Sequence, residues 1–187
     1  MRVTGGSARG IRLLSPRSAG VRPTMDRVRS ALFSILSPFD LENTNVVDLF
    51  AGTGTLGIEA LSRGVGHVDF VEQMAIQCKD IRSNLRAANL SDKATIHQMT
   101  VSKALDTLSK PYDLVLMDPP YTQPFPLDIL RKLQDRTLIH ETSLIVVGHA
   151  TRAASPENCG EFVRWKDRRY GDSSIAFYLS SGREITS

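Results

Sequence analysis

Asp48-Leu49-Phe50-Ala51-Gly52-Thr53-Gly54-Thr55-Leu56-Gly57 is the stretch on which the reading of the fold turns. It continues an apolar run, Val46–Phe50, and leads into residues with helical spacing. Gly52, Gly54 and Gly57 satisfy G-x-G-x-x-G. Between a strand and a helix, that spacing lets the backbone turn tightly and approach a ligand closely. Glu72 lies twenty residues after Gly52, at the end of the next apolar run. An acid in that place accepts hydrogen bonds from ribose hydroxyls. S-adenosylmethionine and the nicotinamide dinucleotides both contain an adenosine, so these two features alone suit either.

The same alternation continues outward. Apolar runs at Val46–Phe50, Val68–Val71, Thr95–His97, Leu114–Met117 and Leu144–Val147 are separated by helical patterns near 54–63, 74–89, 101–109 and 126–134. Strand and helix in alternation predict an α/β fold with a parallel sheet covered on both faces. The ending differs. Phe162–Tyr170 and Ser174–Leu179 are joined through the turn pair Gly171-Asp172, which predicts an antiparallel hairpin. Five parallel strands closed by such a hairpin are the strand content of the class I S-adenosylmethionine-dependent methyltransferases, a Rossmann-like fold. A plain dinucleotide fold would carry a sixth parallel strand.

Ahead of the sheet, the first twenty residues are rich in Gly, Ser and Arg, with apolar positions at Ile11 and Leu13-Leu14. They predict a small β-hairpin or an extended arm. Pro23 and Thr24 open a helix with Thr24 as N-cap and Val28, Leu32, Ile35 and Leu36 as its apolar stripe; Ser37-Pro38 ends it. The chain therefore divides into an N-terminal extension over 1–40 and a methyltransferase domain over 41–187.

The 187 residues carry a net charge of only +3, unevenly placed. Residues 1–40 hold seven arginines and two acids, a balance of +5, leaving −2 on the rest. A basic arm on a nearly neutral body points to a polyanionic partner. Arginine forks bind phosphate bidentately and stack on bases, so Arg9, Arg22, Arg27 and Arg29 are the expected RNA contacts. No apolar run approaches the roughly 18 residues of a membrane span, and Met1-Arg2-Val3-Thr4 opens no signal peptide. Cys78 and Cys159 form neither a metal-ligand spacing nor a disulfide framework. The expectation is a cytoplasmic monomer without a metal.

Two carboxylates separate the cofactor readings. Asp48 stands four residues before Gly52, at the mouth of the first strand. A carboxylate there suits a cofactor with an ammonium and a sulfonium and repels a pyrophosphate. Asp118-Pro119-Pro120-Tyr121 follows the strand Tyr112–Met117 directly. An exocyclic amine on guanine or adenine is a poor nucleophile, because its lone pair is delocalised into the ring. Two acceptors on its two N–H bonds favour a more tetrahedral nitrogen. Asp118 supplies one and a backbone carbonyl, that of Pro119, the other. Proline fixes φ and brings no competing N–H. Tyr121 offers a face on which a flipped base stacks. The motif serves guanine N2 or adenine N6 equally.

His67, His97, His140 and His149 sit on different elements and read as surface or satisfied histidines. Trp165 reads as packing, and Arg82, Arg86, Asn84 and Asn89 as a solvated helix face.

The chain resembles the RsmD family of bacterial 16S ribosomal RNA guanine-N2 methyltransferases. The matching segments are Gly5-Gly6 with Arg9-Gly10; Arg22-Pro23-Thr24 with Asp26-Arg27-Val28-Arg29 and Leu32-Phe33; Asp48 to Gly54; Gly57 with Glu59-Ala60-Leu61-Ser62-Arg63-Gly64; Phe70-Val71-Glu72; Asp118 to Tyr121; and Tyr170-Gly171-Asp172. The resemblance implies transfer of a methyl group from S-adenosylmethionine to guanine 966 of 16S ribosomal RNA in the 30S particle. It implies cofactor contacts from Asp48, Phe50, Ala51, Gly52, Thr53, Gly54, Leu56 and Glu72. One departure stands out. The stretch His97-Gln98-Met99-Thr100-Val101-Ser102 carries no acid for the adenine amino group, so Met99, Val101 and backbone groups are expected to hold that ring. The competing readings are an adenine-N6 methyltransferase, a non-catalytic ribosomal RNA-binding assembly factor on this fold, and a nicotinamide oxidoreductase.

Overall fold

A computed structural model describes residues 1–15, 24–122 and 124–181. Helix α1 (Thr24–Leu36) precedes β1 (Asn45–Leu49), α2 (Thr55–Ser62), β2 (His67–Glu72), α3 (Ala75–Ala88), β3 (Ala94–Gln98) and α4 (Val101–Thr107). There follow β4 (Leu114–Met117), α5 (Leu127–Asp135), β5 (Leu144–Ala150), β6 (Asn158–Cys159), β7 (Phe162–Tyr170) and β8 (Ser173–Ser180). One sheet contains every strand, in the order β3-β2-β1-β4-β5-β8-β7-β6. The first five are parallel; β8 pairs antiparallel with β5 and with β7. This is the class I methyltransferase architecture, and the parallel strands lie where the apolar runs placed them.

These strands are apolar throughout because both faces are buried. Along β4 and β5, Leu114, Leu116, Leu144 and Val146 face one core, and Val115, Met117, Ile145 and Val147 the other. Helices α1, α2 and α3 close the first core through Leu32, Phe33, Leu36, Ile58, Leu61, Ile81 and Leu85. Helices α4 and α5 close the second through Leu105, Leu130 and Leu133. Trp165 joins the first core, edge-on to Phe39 at 5.4 Å and to Phe177 at 6.3 Å, as packing. Strand β6 escaped the sequence pattern because two residues are too few to show alternation.

The N-terminal segment is more compact than an arm and less regular than a hairpin. Its ladder is one bridge, Arg2 to Arg12, with Val3 N–H donating to the Ile11 carbonyl at 3.0 Å and Gly10 N–H to the Val3 carbonyl at 2.9 Å. Val3, Ala8 and Leu13 are buried in the same core as α1 and the sheet, so this segment is built into the main layer and does not stand apart from it. Ser62 at the end of α2 holds it, donating to the Gly5 carbonyl at 2.6 Å and accepting from Ala8 N–H at 2.9 Å. Gly6, at φ +75, passes so close that a Cβ would lie 1.7 Å from the Ser62 oxygen. The capping side chain of Thr24 lies outside the described residues.

The strongest tie is Glu59 on α2, whose side chain is fully buried. Its carboxylate accepts from Thr4 N–H at 2.8 Å, Thr4 Oγ1 at 2.6 Å, Arg29 Nε at 3.1 Å and Arg63 Nε at 2.9 Å. Burial pushes this carboxyl up, but the Thr4, Arg63 and Arg29 hydrogen bonds outweigh it and hold Glu59 below the ordinary glutamate value. Removing one partner of such a buried set leaves an unpaired buried charge, so Glu59→Ala is expected to cost about 3–5 kcal/mol in urea unfolding at neutral pH. A carboxyl depressed on folding contributes stability that is full above its unfolded value and is lost as pH falls through the folded one. The difference between Glu59→Ala and native protein should therefore narrow as pH drops below 4.5. A cost under about 1 kcal/mol, as for an exposed pair, would contradict this.

Candidate active site at the carboxyl edge of the sheet

Strand β1 has β2 on one side and β4 on the other, so the chain order reverses between β1 and β4. Ligands of open α/β sheets bind outside the strand carboxyl ends at such a reversal. The glycine turn leaves β1 there, and Asp118-Pro119-Pro120-Tyr121 leaves β4 beside it. Phe50 is forced to φ +64 at the start of the turn, a conformation that an aromatic residue rarely adopts. Gly52 follows at φ +57 and Gly54 at φ +79. Gly57 lets α2 settle on β2: a Cβ would meet the Phe70 ring at 2.4 Å.

Three carboxylates converge here. Glu72 accepts from Gly52 N–H at 2.9 Å and from Met74 N–H at 2.7 Å, which fixes it against the turn. Asp48 is 1% exposed. Its Oδ2 accepts from Gly57 N–H at 3.0 Å, while its Oδ1 is buried with no hydrogen-bond partner. Burial pushes Asp48 up to about 7; the Gly57 N–H opposes this, and the charges of Asp118 and Glu72 add to it. Asp118 is likewise raised by burial, against a lowering contact from the Tyr121 phenol. That phenol is itself pushed up by burial and by the neighbouring Asp118 charge.

Two cavities meet at Asp118. The first, about 660 Å³, is lined by Phe50, Gly52, Glu72, Met99, Val101, Asp118 and Pro120. The second, about 710 Å³, is lined by Asp118, Pro119, Pro120 and Tyr121, with Val28, Arg29 and Leu32 of α1 and Tyr170, Ser173 and Ile175 of the final hairpin. Asp118 and Pro120 belong to both. Gly52 of the glycine turn and Asp118 thus line the same cavity.

Of the predicted cofactor residues, Phe50, Gly52, Glu72, Met99 and Val101 line the first cavity. Ala51, Thr53 and Gly54 form the turn itself, with Gly54 N–H donating to the Ala51 carbonyl at 2.7 Å. Leu56 differs: it lines the second cavity. Thr100 caps α4, its Oγ1 accepting from Lys103 N–H at 3.3 Å, and so fixes Val101 as the first residue of that helix.

The expected RNA residues divide. Arg9 and Arg27 are exposed, and Arg22 lies outside the described residues. Arg29 is a correction: it is 3% exposed, and its guanidinium is occupied by Glu59, Asp26 and the Arg2 carbonyl. It braces α1 and cannot offer a fork to phosphate. Asn84 is a second correction, since it is not on a solvated face. It is 1% exposed, exchanging hydrogen bonds with Leu14 N–H at 2.6 Å and the Leu14 carbonyl at 3.2 Å, and it donates to the Thr53 carbonyl at 2.9 Å. It ties the N-terminal segment to the glycine turn. His97 is engaged with Asp69 at 2.8 Å, and His149 is buried against Phe125.

Sequence reasoning missed Gly148 on β5. A Cβ there would lie 2.5 Å from Asp118 Oδ1, so only glycine leaves that carboxylate its place. A lone glycine inside an apolar strand was the available signal.

Comparison with known proteins agrees with this geometry. The sequence model of the family described as "Conserved hypothetical protein 95" matches residues 1–179. The chain is 31% identical over 185 residues to Bacillus subtilis (strain 168) YlbH, whose name assigns it provisionally to the rRNA methyltransferases; the match covers 97% of this chain and 100% of that one. It is 32% identical over 147 residues to the Ribosomal RNA small subunit methyltransferase D of Escherichia coli (strain K12), covering 79% of this chain and 73% of the relative. Among solved structures, a Thermus thermophilus protein of unassigned function superposes with a TM-score of 0.80 at 26% identity, over 96% of this chain and 99% of the other. The ribosomal protein L11 methylase of Lactobacillus delbrueckii subsp. bulgaricus superposes at 0.70 with 15% identity, over 91% and 84%, a likeness of fold alone. With a family model spanning almost its whole length and a relative aligned end to end, the chain belongs to the RsmD family of methyltransferases.

Proposed function

We propose that this protein transfers a methyl group from S-adenosylmethionine to the exocyclic N2 amine of a guanine in 16S ribosomal RNA, with the assembled 30S particle as substrate. One observation carries the reading: the Asp118 carboxylate stands where the cavity beneath the glycine turn meets the cavity beneath Tyr121. The name of the Escherichia coli relative supports the choice of small-subunit RNA.

The first cavity fits the donor. The buried Oδ1 of Asp48, on β1 next to the glycine turn and outside the cavity lining, lacks a hydrogen-bond partner, which an ammonium would supply. Glu72 lines this cavity as the acceptor for ribose hydroxyls, and Met99 and Val101 offer an apolar wall to an adenine ring. S-adenosylmethionine supplies an electrophilic methyl group on a sulfonium sulfur. The second cavity accepts the flipped base. There the Asp118 carboxylate and the Pro119 carbonyl accept the two N–H bonds of the amine, turning its lone pair toward the first cavity. With the donor bound, that lone pair would face its methyl group, and the amine proton would leave after attack, so no strong base is needed. Most of the acceleration comes from holding two reactants in line.

Asp118→Ala is expected to lower methyl transfer about 10²–10³-fold, the size of effect that follows removal of one preorganised hydrogen-bonding group. S-adenosylhomocysteine binding, read by calorimetry, should change little. Because burial raises Asp118 and the ionised form is the acceptor, native activity should fall as pH drops through a value above the usual carboxylate range. Full activity in Asp118→Ala contradicts the reading.

Asp48 yields a second outcome. A carboxyl raised from 3.8 to about 7 contributes stability fully present below 3.8 and lost as pH rises through 7. Asp48→Asn should therefore melt progressively higher relative to native ligand-free protein as pH rises from 3.8 to about 7, while binding S-adenosylhomocysteine more weakly. Equal melting shifts at every pH count against the orphaned carboxylate.

The direct test of substrate is tritiated methyl transfer to unmodified 30S particles and to naked RNA, followed by nucleoside identification. N2-methylguanosine made on the particles is expected; N6-methyladenosine overturns the choice of base.

A further inference from the structure

A third depression adjoins the cavity for the base. It measures about 460 Å³ and is lined by Tyr121, Ala150, Thr151, Arg152, Arg169 and Asp172. Tyr121 and Asp172 also line the second cavity, so the two share a wall. A nucleotide whose base enters beside Tyr121 carries its sugar and phosphates out over this rim.

The two arginines here differ from the others around the site. Arg29 and Arg63 are committed to Glu59, and Arg164 to the Ser155 carbonyl and hydroxyl. Arg152 is exposed and forms no hydrogen bond or ion pair among the described residues. Arg169 is exposed and gives its Nε to the Gly171 carbonyl at 3.0 Å, and its terminal nitrogens have no hydrogen bond or ion pair among the described residues. They face one lining carboxylate, Asp172, so the depression carries a positive excess.

The backbone beneath them is fixed. Thr151 N–H donates to the Asp172 carbonyl at 2.9 Å, and Thr151 Oγ1 donates to the Gly171 carbonyl at 3.1 Å. Ala153 N–H closes a turn onto the Ala150 carbonyl at 2.8 Å, and the His149 ring reaches the Ala153 carbonyl at 2.8 Å. Two exposed guanidinium groups thus rise from a braced loop and hairpin, with the planar fork that suits a phosphate.

We infer that Arg152 and Arg169 bind a phosphodiester group of the RNA strand next to the flipped nucleotide and so position its base at Asp118. This rests on the proposed function, and it assigns the strand's path to the carboxyl end of β5 and the tip of the β7–β8 hairpin.

The test is fluorescence anisotropy of a labelled stem-loop RNA with an unpaired guanosine, titrated at several salt concentrations. The Arg152→Ala/Arg169→Ala double variant should bind roughly tenfold more weakly, as expected when a charge-assisted hydrogen bond is removed. Its slope of log affinity against log salt should fall by about 0.7 for each single-strand phosphate that is no longer neutralised. Arg152→Lys/Arg169→Lys should recover the salt slope but only part of the affinity, because lysine keeps the charge and loses the fork. Arg131→Ala on α5, an exposed arginine remote from the depression, should bind as native protein does. S-adenosylhomocysteine affinity should be unchanged in all variants. A double alanine variant with native affinity and slope overturns the inference, as does an equal loss in Arg131→Ala or no binding by native protein. Methyl transfer by native protein is scored separately. Its absence would sink the proposed function and leave the binding comparison with its own answer.

Discussion

The parallel pairing of β1 with β4, Val46 to Leu114 through Leu49 to Met117, is the constraint from which the site follows. It ends both strands at the same edge with β2 and β5 as outer neighbours. The turn that leaves β1 and the Asp-Pro-Pro-Tyr segment that leaves β4 then have no option but to flank one cleft. Neither segment would have meaning alone. A glycine turn closes many strand-helix junctions, and an Asp-Pro-Pro turn ends many strands. Their joint presence at a reversal of strand order produces two cavities with a carboxylate between them.

The buried carboxylates Glu59 and Asp48 show how the fold separates support from function. Glu59 is saturated by Thr4, Arg29 and Arg63 and is held ionised. It locks the N-terminal segment and α1 onto the helix that follows the glycine turn. Asp48, nine residues before Gly57 whose N–H it accepts, keeps one oxygen without a partner and is pushed toward neutrality. A satisfied buried charge is structural; an unsatisfied one marks a candidate for function. Since α1 also lines the cavity under Tyr121, the same Arg29–Glu59 contact shapes one wall of that cavity.

The strands were legible because parallel strands are buried on both faces and read as continuous apolar runs. The site motifs were legible because each is local in sequence. What stayed hidden depends on partners distant in the chain. Arg29 reads as a solvent cation until Glu59, thirty residues on, is placed against it. Asn84 reads as surface until Leu14 and Thr53 arrive from two other segments. Gly148 shows only a missing side chain, and its reason is the Asp118 oxygen on the neighbouring strand. The charge count of residues 1–40 was correct, yet it did not tell a bracing arginine from a binding one.

A crystal structure of the protein with S-adenosylhomocysteine would show whether the two cavities hold donor and acceptor on either side of Asp118. Ribose hydroxyls should lie on Glu72, the adenine ring beside Met99 and Val101, and the sulfur facing Asp118 across open space. A ligand seated under Tyr121 and Tyr170, or a sulfur walled off from Asp118 by packed side chains, would contradict this arrangement.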